Sequence, residues 1–272
     1  MALKLGTQDV TLKLGSQDVT AYLGAEEVSG FDPTSIEGLG LWLDASKTSS
    51  LTFNATTVSE WRDLSGNGRD FAEATAGNQP GTRTLGTRQA LDFGGSAWLI
   101  GNAASLSIAR NVGGLTIFIA GELDATDSAR VFLNISRNGS LAQARALLDF
   151  DSSSQSFRAG GRRTDADSFV GVISGASVTT DPVVLTGVYN YGASDLFLYV
   201  SGSLLASTTS FQVDGNTSDT DSNGVSIGQS GLATSVLDGA IGEILVYQRA
   251  LSAAERQVVE QALGKKWGIT VA

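Results

Sequence analysis

Two acidic loops, DTDSNG (219–224) and DLSGNG (63–68), carry oxygen-bearing side chains at alternate positions before a glycine. Oxygen ligands at that spacing let a short loop wrap a hard cation, so the cofactor that the sequence indicates is calcium. The candidate ligands are Asp63, Asn67, Asp219, Asp221 and Asn223. Neither loop has a glutamate at its twelfth position, and the alternative is an Asx-rich turn whose side chains bind their own backbone.

The nearest approach to a catalytic carboxylate pair is GELDATD (121–127). Glu122 and Asp124 share a face of a strand, as the acid and the nucleophile of a retaining glycosidase do. Asp127 lies one position too far along for a third carboxylate on that face. The chain has no histidine and no cysteine, which excludes Ser–His triads and thiolate chemistry. We therefore expect no catalytic residues and no enzymatic activity, and we expect Glu243 to pair with an arginine or to support a loop.

Aromatic rings and guanidinium groups are the candidates for contacting a ligand. GGSAWLIG, VYNYGAS and GGRRTDAD place such groups in polar or glycine-rich stretches near predicted strand ends. The predicted ligand-facing residues are Trp98, Tyr189, Tyr191 and Arg162. Trp42 is flanked by Leu41 and Leu43, and we expect both Trp42 and Trp61 to pack in the core.

Charge and hydropathy exclude two classes of partner. The net charge is −10 with acidic and basic residues mixed, so a basic stripe for nucleic acid is lacking. Apolar stretches such as LTIFIAG (115–121) have the length of strands, so no membrane insertion is expected. The N-terminus has no basic region followed by an apolar core, so it does not resemble a signal peptide.

The elements that position these residues are predicted to be almost all strands. Short apolar segments recur between turn signals from about residue 38 to 250, which favours an all-β, two-sheet antiparallel jelly-roll sandwich. One helix is predicted at the C-terminal end. Ser252 and Glu255 form a capping-box pattern, an apolar stripe runs from Val258 to Trp267, and Gly268 ends the helix.

The chain opens with the stretches LKLGTQDVT, LKLGSQDVT and AYLGAEEVS, which follow one another without a gap. They predict a short β-meander over residues 1–30, with GTQD, GSQD and GAEE as connections. So small a sheet is marginal alone, so we predict a docking module; the alternative is packing on its own domain. The predicted docking residues are Leu3, Leu5, Val10, Leu12, Leu14, Val19, Leu23 and Val28. Residues 31–36 are predicted as a linker, and 37–272 as the sandwich domain.

Four stretches carry a family resemblance. They are GLGLWLDAS, VSEWRDLSGNGRDF, QALDFGGSAWL and LDGAIGEILVYQRALSAAERQVVEQALGKKWGI. Over about residues 36–270 the chain resembles the concanavalin A-like, laminin-G-like jelly-roll domains of phage structural proteins and bacterial surface proteins. The resemblance implies two antiparallel sheets, a concave face, and recognition of carbohydrate or protein. The N-terminal repeats resemble leading segments of phage tail and head-appendage proteins.

These resemblances imply a non-enzymatic bacteriophage virion protein, either a head decoration or a tail component, that docks through residues 1–30. Its partners would then be other virion proteins and copies of itself, and its location the virion, assembled in the host cytoplasm. The alternative is a carbohydrate-binding adhesin or receptor-binding protein that binds cell-surface glycan and acts extracellularly or at the cell surface.

Overall fold

The computed structural model describes residues 31–136, 140–175, 178–232 and 234–272, together with the backbone of four short strands near the N-terminus. In this described part of the chain, two large antiparallel sheets enclose a core and one α-helix lies on the outside. The predicted all-β jelly-roll sandwich with one C-terminal helix is therefore confirmed.

The first two repeats form two separate hairpins. Their strands are β1 (Leu3–Leu5), β2 (Gln8–Val10), β3 (Leu12–Leu14) and β4 (Gln17–Val19). β1 pairs with β2 and β3 with β4, each within one repeat, which differs from the predicted meander with GTQD and GSQD as connections. Two residues separate the paired strands, the commonest length of a hairpin connection. The third repeat, with Leu23 and Val28, lies outside the described residues, and the docking role stays a prediction.

The first large sheet has eight strands. They are β5 (Leu39–Asp44), β9 (Gly81–Leu85), β10 (Arg88–Asp92), β12 (Gly114–Leu123), β17 (Val183–Asn190), β18 (Asp195–Val200), β19 (Ser203–Thr208) and β21 (Gly239–Tyr247). Their order is β19-β18-β17-β12-β21-β10-β9, and β5 pairs with β21. The long apolar strand that the sequence predicts around LTIFIAG is thus a central strand, β12.

The second large sheet has nine strands. They are β6 (Leu51–Asn54), β7 (Thr57–Trp61), β8 (Phe71–Ala72), β11 (Leu99–Gly101), β13 (Arg130–Ser136), β14 (Ala144–Asp151), β15 (Ser156–Gly161), β16 (Val170–Ile173) and β20 (Gly224–Ile227). Their order is β16-β15-β14-β13-β20-β11-β8-β7-β6. Short 3-10 helices lie outside the strands, at Pro33–Ser35, Thr48–Ser50, Ala76–Asn78, Ala103–Ser107 and Leu141–Gln143.

The main core lies between the two large sheets. Ile117 and Ile244 of the eight-stranded sheet and Phe132 and Leu148 of the nine-stranded sheet belong to one buried cluster. Trp61, predicted in the core, is fully buried there. Removing these apolar side chains from water is the dominant favourable term that holds the two sheets together.

The helix α1 (Ala253–Trp267) begins and ends where the sequence predicts. Ser252 and Glu255 form the capping box, and Gly268 closes the helix with φ of 70°, a left-handed conformation that glycine adopts without strain. A guanidinium hydrogen bond from Arg249 lowers the pKa of Glu255 to about 2. Within the described residues, no helix has the length and the apolar character that crossing a bilayer requires.

The buried side of α1 differs in part from the predicted stripe. Leu263 and Trp267 pack on the outer face of the eight-stranded sheet, but Val258 is 41% exposed. The buried Arg256–Glu260 ion pair lies on the sheet side instead. The stripe differs because a guanidinium stacked over an aromatic ring, here that of Tyr199, can be buried as an apolar side chain is.

Residues 31–36, predicted as a linker, contact the same side of the sandwich. Phe31 and Ile36 pack against the cluster beneath α1. The hydroxyl of Tyr247 donates a hydrogen bond to the carbonyl oxygen of Pro33 at 3.1 Å. The outer face of the eight-stranded sheet is thus covered by the helix and by this segment.

Candidate binding face

A row of paired residues crosses the outer face of the nine-stranded sheet. In register order its members are Ala72, Ile100, Ser226, Asn134, Leu147, Gly160 and Gly171. Their neighbours along the strands, such as Leu148 and Ala159, belong to the core between the sheets. Because successive side chains of a strand point to opposite faces, this row faces away from that core. We call it the outer row.

A loop covers the middle of the outer row. The side-chain amide of Asn134 donates to the carbonyl oxygen of Ser230 at 2.8 Å. The hydroxyl of Ser226 donates to the carbonyl oxygen of Gln229 at 2.9 Å. Residues 229–230 are therefore held against the sheet. They divide the outer face into two ends, one near β16 and one near β11.

At the β16 end, four residues form what we call the Arg158 cluster: Asp149, Asp151, Arg158 and Phe169. Asp149 is fully buried and accepts a hydrogen bond from Nε of Arg158 at 3.0 Å. Nη1 of Arg158 lies 3.9 Å from the nearer Asp151 oxygen, Oδ1. The guanidinium carbon lies 5.6 Å from the centroid of the half-exposed Phe169 ring, within cation–π range. The cluster thus combines an apolar ring, a cation and two carboxylates.

Two glycines make room for the ring of Phe169. A Cβ at Gly160 would overlap that ring, and one at Gly171 would come within 3.2 Å of it. Gly160 and Gly171 are paired across β15 and β16, so their missing side chains leave a shallow site on the sheet surface. The ring occupies that site and lies next to the side chain of Arg158.

Burial dominates the electrostatics of the cluster. It raises the pKa of Asp149 to about 6, although hydrogen bonding and charge from Arg158 act in the opposite direction. Burial alone would raise the pKa of Asp151 as well, but the Ser154 and Ser153 hydroxyls and Arg158 lower it below its ordinary value. Asp149 is therefore the residue of this face that titrates in mildly acidic solution.

The titration of Asp149 should make the free energy of unfolding depend on pH. Asp149 has a folded-state pKa of about 6 against an ordinary value of 3.8, so the folded protein binds the proton more tightly than the unfolded chain does. Its contribution to the free energy of unfolding therefore falls as pH rises from about 4 to about 6, by at most about 3 kcal/mol, and then stays constant. Urea unfolding across this range should show the fall relative to the Asp149→Asn variant. Parallel pH profiles for the two proteins would contradict the prediction.

The β11 end of the outer face contains Trp98. This residue is half-exposed and precedes Leu99, which points into the core. Ile100 and Leu232 are exposed by 37% and 59%. The structure thus leaves Trp98 accessible, and its ligand-facing role stays a prediction.

The prediction that Tyr189 and Tyr191 face a ligand is wrong. Both are fully buried in the core between the sheets, where their rings contact Phe211. Their hydroxyls donate to the carbonyl oxygens of Leu147 and Arg145 at 2.6 and 2.5 Å, and burial raises the pKa of both. A tyrosine can be buried wherever its hydroxyl finds an acceptor, so residue type alone did not decide the direction of either ring.

Arg162 is also buried, with 2% exposure, so its predicted ligand-facing role is wrong as well. Its Nη1 donates to the carbonyl oxygen of Asp165 at 2.8 Å. Buried Arg145 contacts the carboxylate of the same Asp165 and the hydroxyl of Thr220. These arginines hold the loops after β15 and β19 together, because one planar guanidinium can satisfy several acceptors.

The loop at 63–68 forms an Asx-type turn, which was the alternative to calcium. The carboxylate of Asp63 accepts hydrogen bonds from the backbone nitrogens of Trp42, Ser65 and Arg69 at 2.9–3.1 Å. The side-chain amide of Asn67 donates to the carbonyl oxygen of Leu39 at 3.1 Å. These oxygens and nitrogens are taken up by the chain itself, so the loop does not fit a cation.

The loop at 219–224 holds an arginine between its acids. Arg110 contacts Asp219 at 2.8 Å and Asp221 at 3.6 Å, and the backbone nitrogen of Asn223 donates to the carbonyl oxygen of Ser136. In the described ranges, no group of three or more acidic residues is arranged to hold a metal. A guanidinium already compensates the two carboxylates, so these residues do not fit calcium either.

The carboxylates of GELDATD (121–127) are ion-paired. Arg83 contacts Glu122 at 2.7 Å and Asp124 at 2.5 Å, and Arg130 contacts Asp127 at 2.6 Å. Arg83 lies on β9, which β21 and β10 separate from β12 in the sheet order, so the guanidinium was not visible from the spacing of GELDATD. The carboxylates whose spacing resembles an acid pair therefore form a surface ion-pair network.

Sequence reasoning missed the Arg158 cluster. The signal was present in DFDSSSQSFR, where a four-residue turn separates alternating acids from an arginine. In a hairpin with that turn, Asp149 pairs with Arg158, as the structure shows. Phe169 carried no such signal, because the loop before β16 places it over Gly160.

Comparison with known proteins supports the fold. A family model described as the concanavalin A-like lectin/glucanases superfamily matches residues 123–255, just under half of the chain. A search of curated proteins finds no relative by sequence.

Two solved structures illustrate the similarity. The botulinum neurotoxin serotype D ligand-binding domain in complex with N-acetylneuraminic acid has a TM-score of 0.59 at 14% identity, over 84% of this chain and 52% of that one. The Trypanosoma rangeli sialidase in complex with the inhibitor DANA has a TM-score of 0.57 at 17% identity, over 86% of this chain and 34% of that one. The chain thus spans about half of the toxin domain and a third of the sialidase, and the likeness shows a shared fold.

Proposed function

We propose that this chain is a non-enzymatic glycan-binding protein and that the Arg158 cluster contacts the sugar. The observation that carries the proposal is the half-exposed Phe169 ring beside a guanidinium whose direction is set by buried Asp149. An aromatic ring packs against the apolar face of a sugar, while Arg158 and Asp151 supply a donor and an acceptor for its polar groups. Binding sites of this kind combine apolar side chains with a few placed polar groups.

A glycan that bears a carboxylate suits this cluster best. Arg158 uses Nε and Nη2 for Asp149, and Nη1 lies 3.9 Å from Asp151, beyond hydrogen-bond distance. The N–H groups of Nη1 can therefore meet an incoming carboxylate in a charge-assisted hydrogen bond. The complex of the toxin domain with N-acetylneuraminic acid supports the choice of a sialic acid as the first probe.

Binding of a sialylated glycan should weaken at least about tenfold in Phe169→Ala and in Arg158→Lys, because each change removes a contact made to the sugar. Titration calorimetry or a glycan array with the full chain measures the effect. The matched control is Phe53→Ala, since Phe53 is 45% exposed on β6, at the opposite edge of the same sheet. Unchanged affinity in both cluster variants, or no affinity of the wild type for any acidic or neutral glycan, would sink the proposal.

A second candidate, a virion structural role, is supported by the repeated N-terminal hairpins. The pairing of Leu3 with Val10 recurs nine residues later as Leu12 with Val19, so two like modules precede the sandwich. In this account residues 1–30 dock the chain to other virion proteins or to copies of itself, and the location is the virion. In the glycan-binding account alone it is extracellular or at the cell surface.

Deletion of residues 1–30 separates the two candidates. Loss of particle association with retained glycan binding indicates that both accounts hold, each for its own part of the chain. Unchanged particle association, or no association of the full chain with particles, would contradict the docking role.

A further inference from the structure

A buried charged cluster joins the first and the last elements of the sandwich. Asp44 ends β5, Glu243 lies in β21, and Lys266 lies in the last turn of α1. Nζ of Lys266 lies 2.6 Å from Oδ2 of Asp44 and 2.6 Å from Oε2 of Glu243. The Asp44 side chain is fully buried, that of Glu243 is 3% exposed, and that of Lys266 is 23% exposed. One amine is thus held against two carboxylates and largely shielded from water.

Two tryptophans surround the cluster and hold Glu243 in place. The indole nitrogen of Trp42 donates to Oε1 of Glu243, and that of Trp267 donates to Oε2, both at 2.9 Å. The other Asp44 oxygen, Oδ1, accepts hydrogen bonds from the backbone nitrogen and the hydroxyl of Ser46. The carboxylates of Asp44 and Glu243 are therefore fixed by these neighbours as well as by Lys266.

Glu243 differs from an exposed glutamate in its proton affinity. Burial, with the charge of Asp44 second, raises the pKa of Glu243. A carboxyl group whose pKa is shifted towards neutrality can both accept and return a proton, which is the property of a general acid–base group. Glu243 contacts the amine that would lose the proton, so geometry and proton affinity agree.

We propose that Lys266 and Asp44 form an intramolecular isopeptide bond, with Glu243 as the group that moves the proton. The bond would tie the first strand of the eight-stranded sheet to the C-terminal helix. It is independent of the glycan site, which lies on the other sheet.

The step balances without an added reagent. The ammonium of Lys266 gives one proton to the Asp44 carboxylate, which leaves a neutral amine next to a carboxylic acid. Nζ attacks Cγ of Asp44, and Glu243 takes a second proton from the nitrogen. Glu243 then passes that proton to the departing oxygen, the Cγ–O bond breaks, and one water molecule leaves. An Nζ–Cγ amide remains, no group is oxidised or reduced, and Glu243 ends in its starting state.

Proximity makes the condensation reasonable. Near-attack geometry has reacting atoms about 3–3.5 Å apart, and Cγ of Asp44 is one bond beyond the oxygen that Nζ contacts. Groups held in this way react with effective molarities of about 10⁵–10⁸ M, which exceeds the concentration of the water that opposes the reaction.

Mass spectrometry of the denatured full chain tests the proposal directly. The wild-type protein, held folded at neutral pH for days, should be lighter than its sequence mass by one water molecule. A tryptic digest should contain a branched peptide that joins the segments around Asp44 and Lys266. A wild-type mass equal to the sequence mass would overturn the proposal and would leave an ion-pair network, and this measurement needs no variant to fold.

Variants assign the roles. Lys266→Arg, Asp44→Ala and Glu243→Gln should each keep the full sequence mass. The matched control Lys265→Arg changes the exposed neighbour on the same helix turn and should still lose water. Asp44→Asn should lose ammonia and reach the same final mass as the wild type, because the amide formed is identical. Loss of water that persists in Lys266→Arg would place the bond elsewhere and contradict the assignment.

Discussion

Replacing Trp267 by alanine is expected to lower the free energy of unfolding by about 3–5 kcal/mol, the range for removing a buried tryptophan. The side chain is fully buried between α1 and the eight-stranded sheet. It rests on Gly242, where any Cβ would meet the indole ring at 2.6 Å, so this part of β21 is shaped for it. The substitution also removes one hydrogen-bond donor from buried Glu243.

Urea unfolding followed by far-ultraviolet circular dichroism measures this loss, because the signal does not depend on the removed indole. Val258→Ala is the matched control, since Val258 lies on the same helix but is 41% exposed, and its change should stay within about 0.5 kcal/mol. Wild type and variants are compared only when their masses show that the Lys266–Asp44 bond is present in all of them or absent from all of them. Equal effects of the two substitutions would show that α1 does not depend on its buried face.

Replacing Arg158 by leucine is expected to lower the free energy of unfolding by about 3–5 kcal/mol at neutral pH, because it leaves buried Asp149 without its cation. Asp149 already has a pKa of about 6, and removal of Arg158 raises it further. The loss should therefore shrink as pH falls through this raised pKa towards about 6, and should stay constant below about 6, where Asp149 is protonated in both proteins. Denaturant unfolding at several pH values from 4 to 8 measures both the size of the loss and its pH dependence.

The control for this prediction is the double variant Arg158→Leu with Asp149→Asn. The asparagine at position 149 carries no charge and needs no cation beside it, so the double variant should recover most of the stability at neutral pH. Recovery would also show that loss of glycan binding in the single variants can be separated from loss of fold. A double variant as unstable as Arg158→Leu would contradict the role assigned to the ion pair.

The secondary structure was largely predictable because its causes are local. The capping box of Ser252 and Glu255 lies within four residues, and the strand-length apolar runs of β12 and β17 are visible in the chain. The first two repeats show the limit of this reasoning. Spacing allowed strands to pair between repeats or within one, and only the observed register, Leu3 with Val10, decided for separate hairpins.

The direction of long polar side chains could not be predicted in the same way. Tyr191 and Arg162 lie in polar stretches, yet both point inward because Arg145 and Asp165 supply an acceptor there. Those partners come from other strands and loops. A pattern of residue types along one segment contains no information about what a neighbouring segment offers.

The amino-acid sequence by itself determined the class of this protein: an acidic all-β sandwich without histidine or cysteine, closed by one capped helix. Only the tertiary structure brought Asp149 to Arg158 and Phe169, and Asp44 to Lys266, which are 222 positions apart in the chain. The physical reason is the range of the interactions. Capping, turns and alternation act over a few residues, whereas burial and charge pairing depend on distance in space, which is set once the sheets have paired.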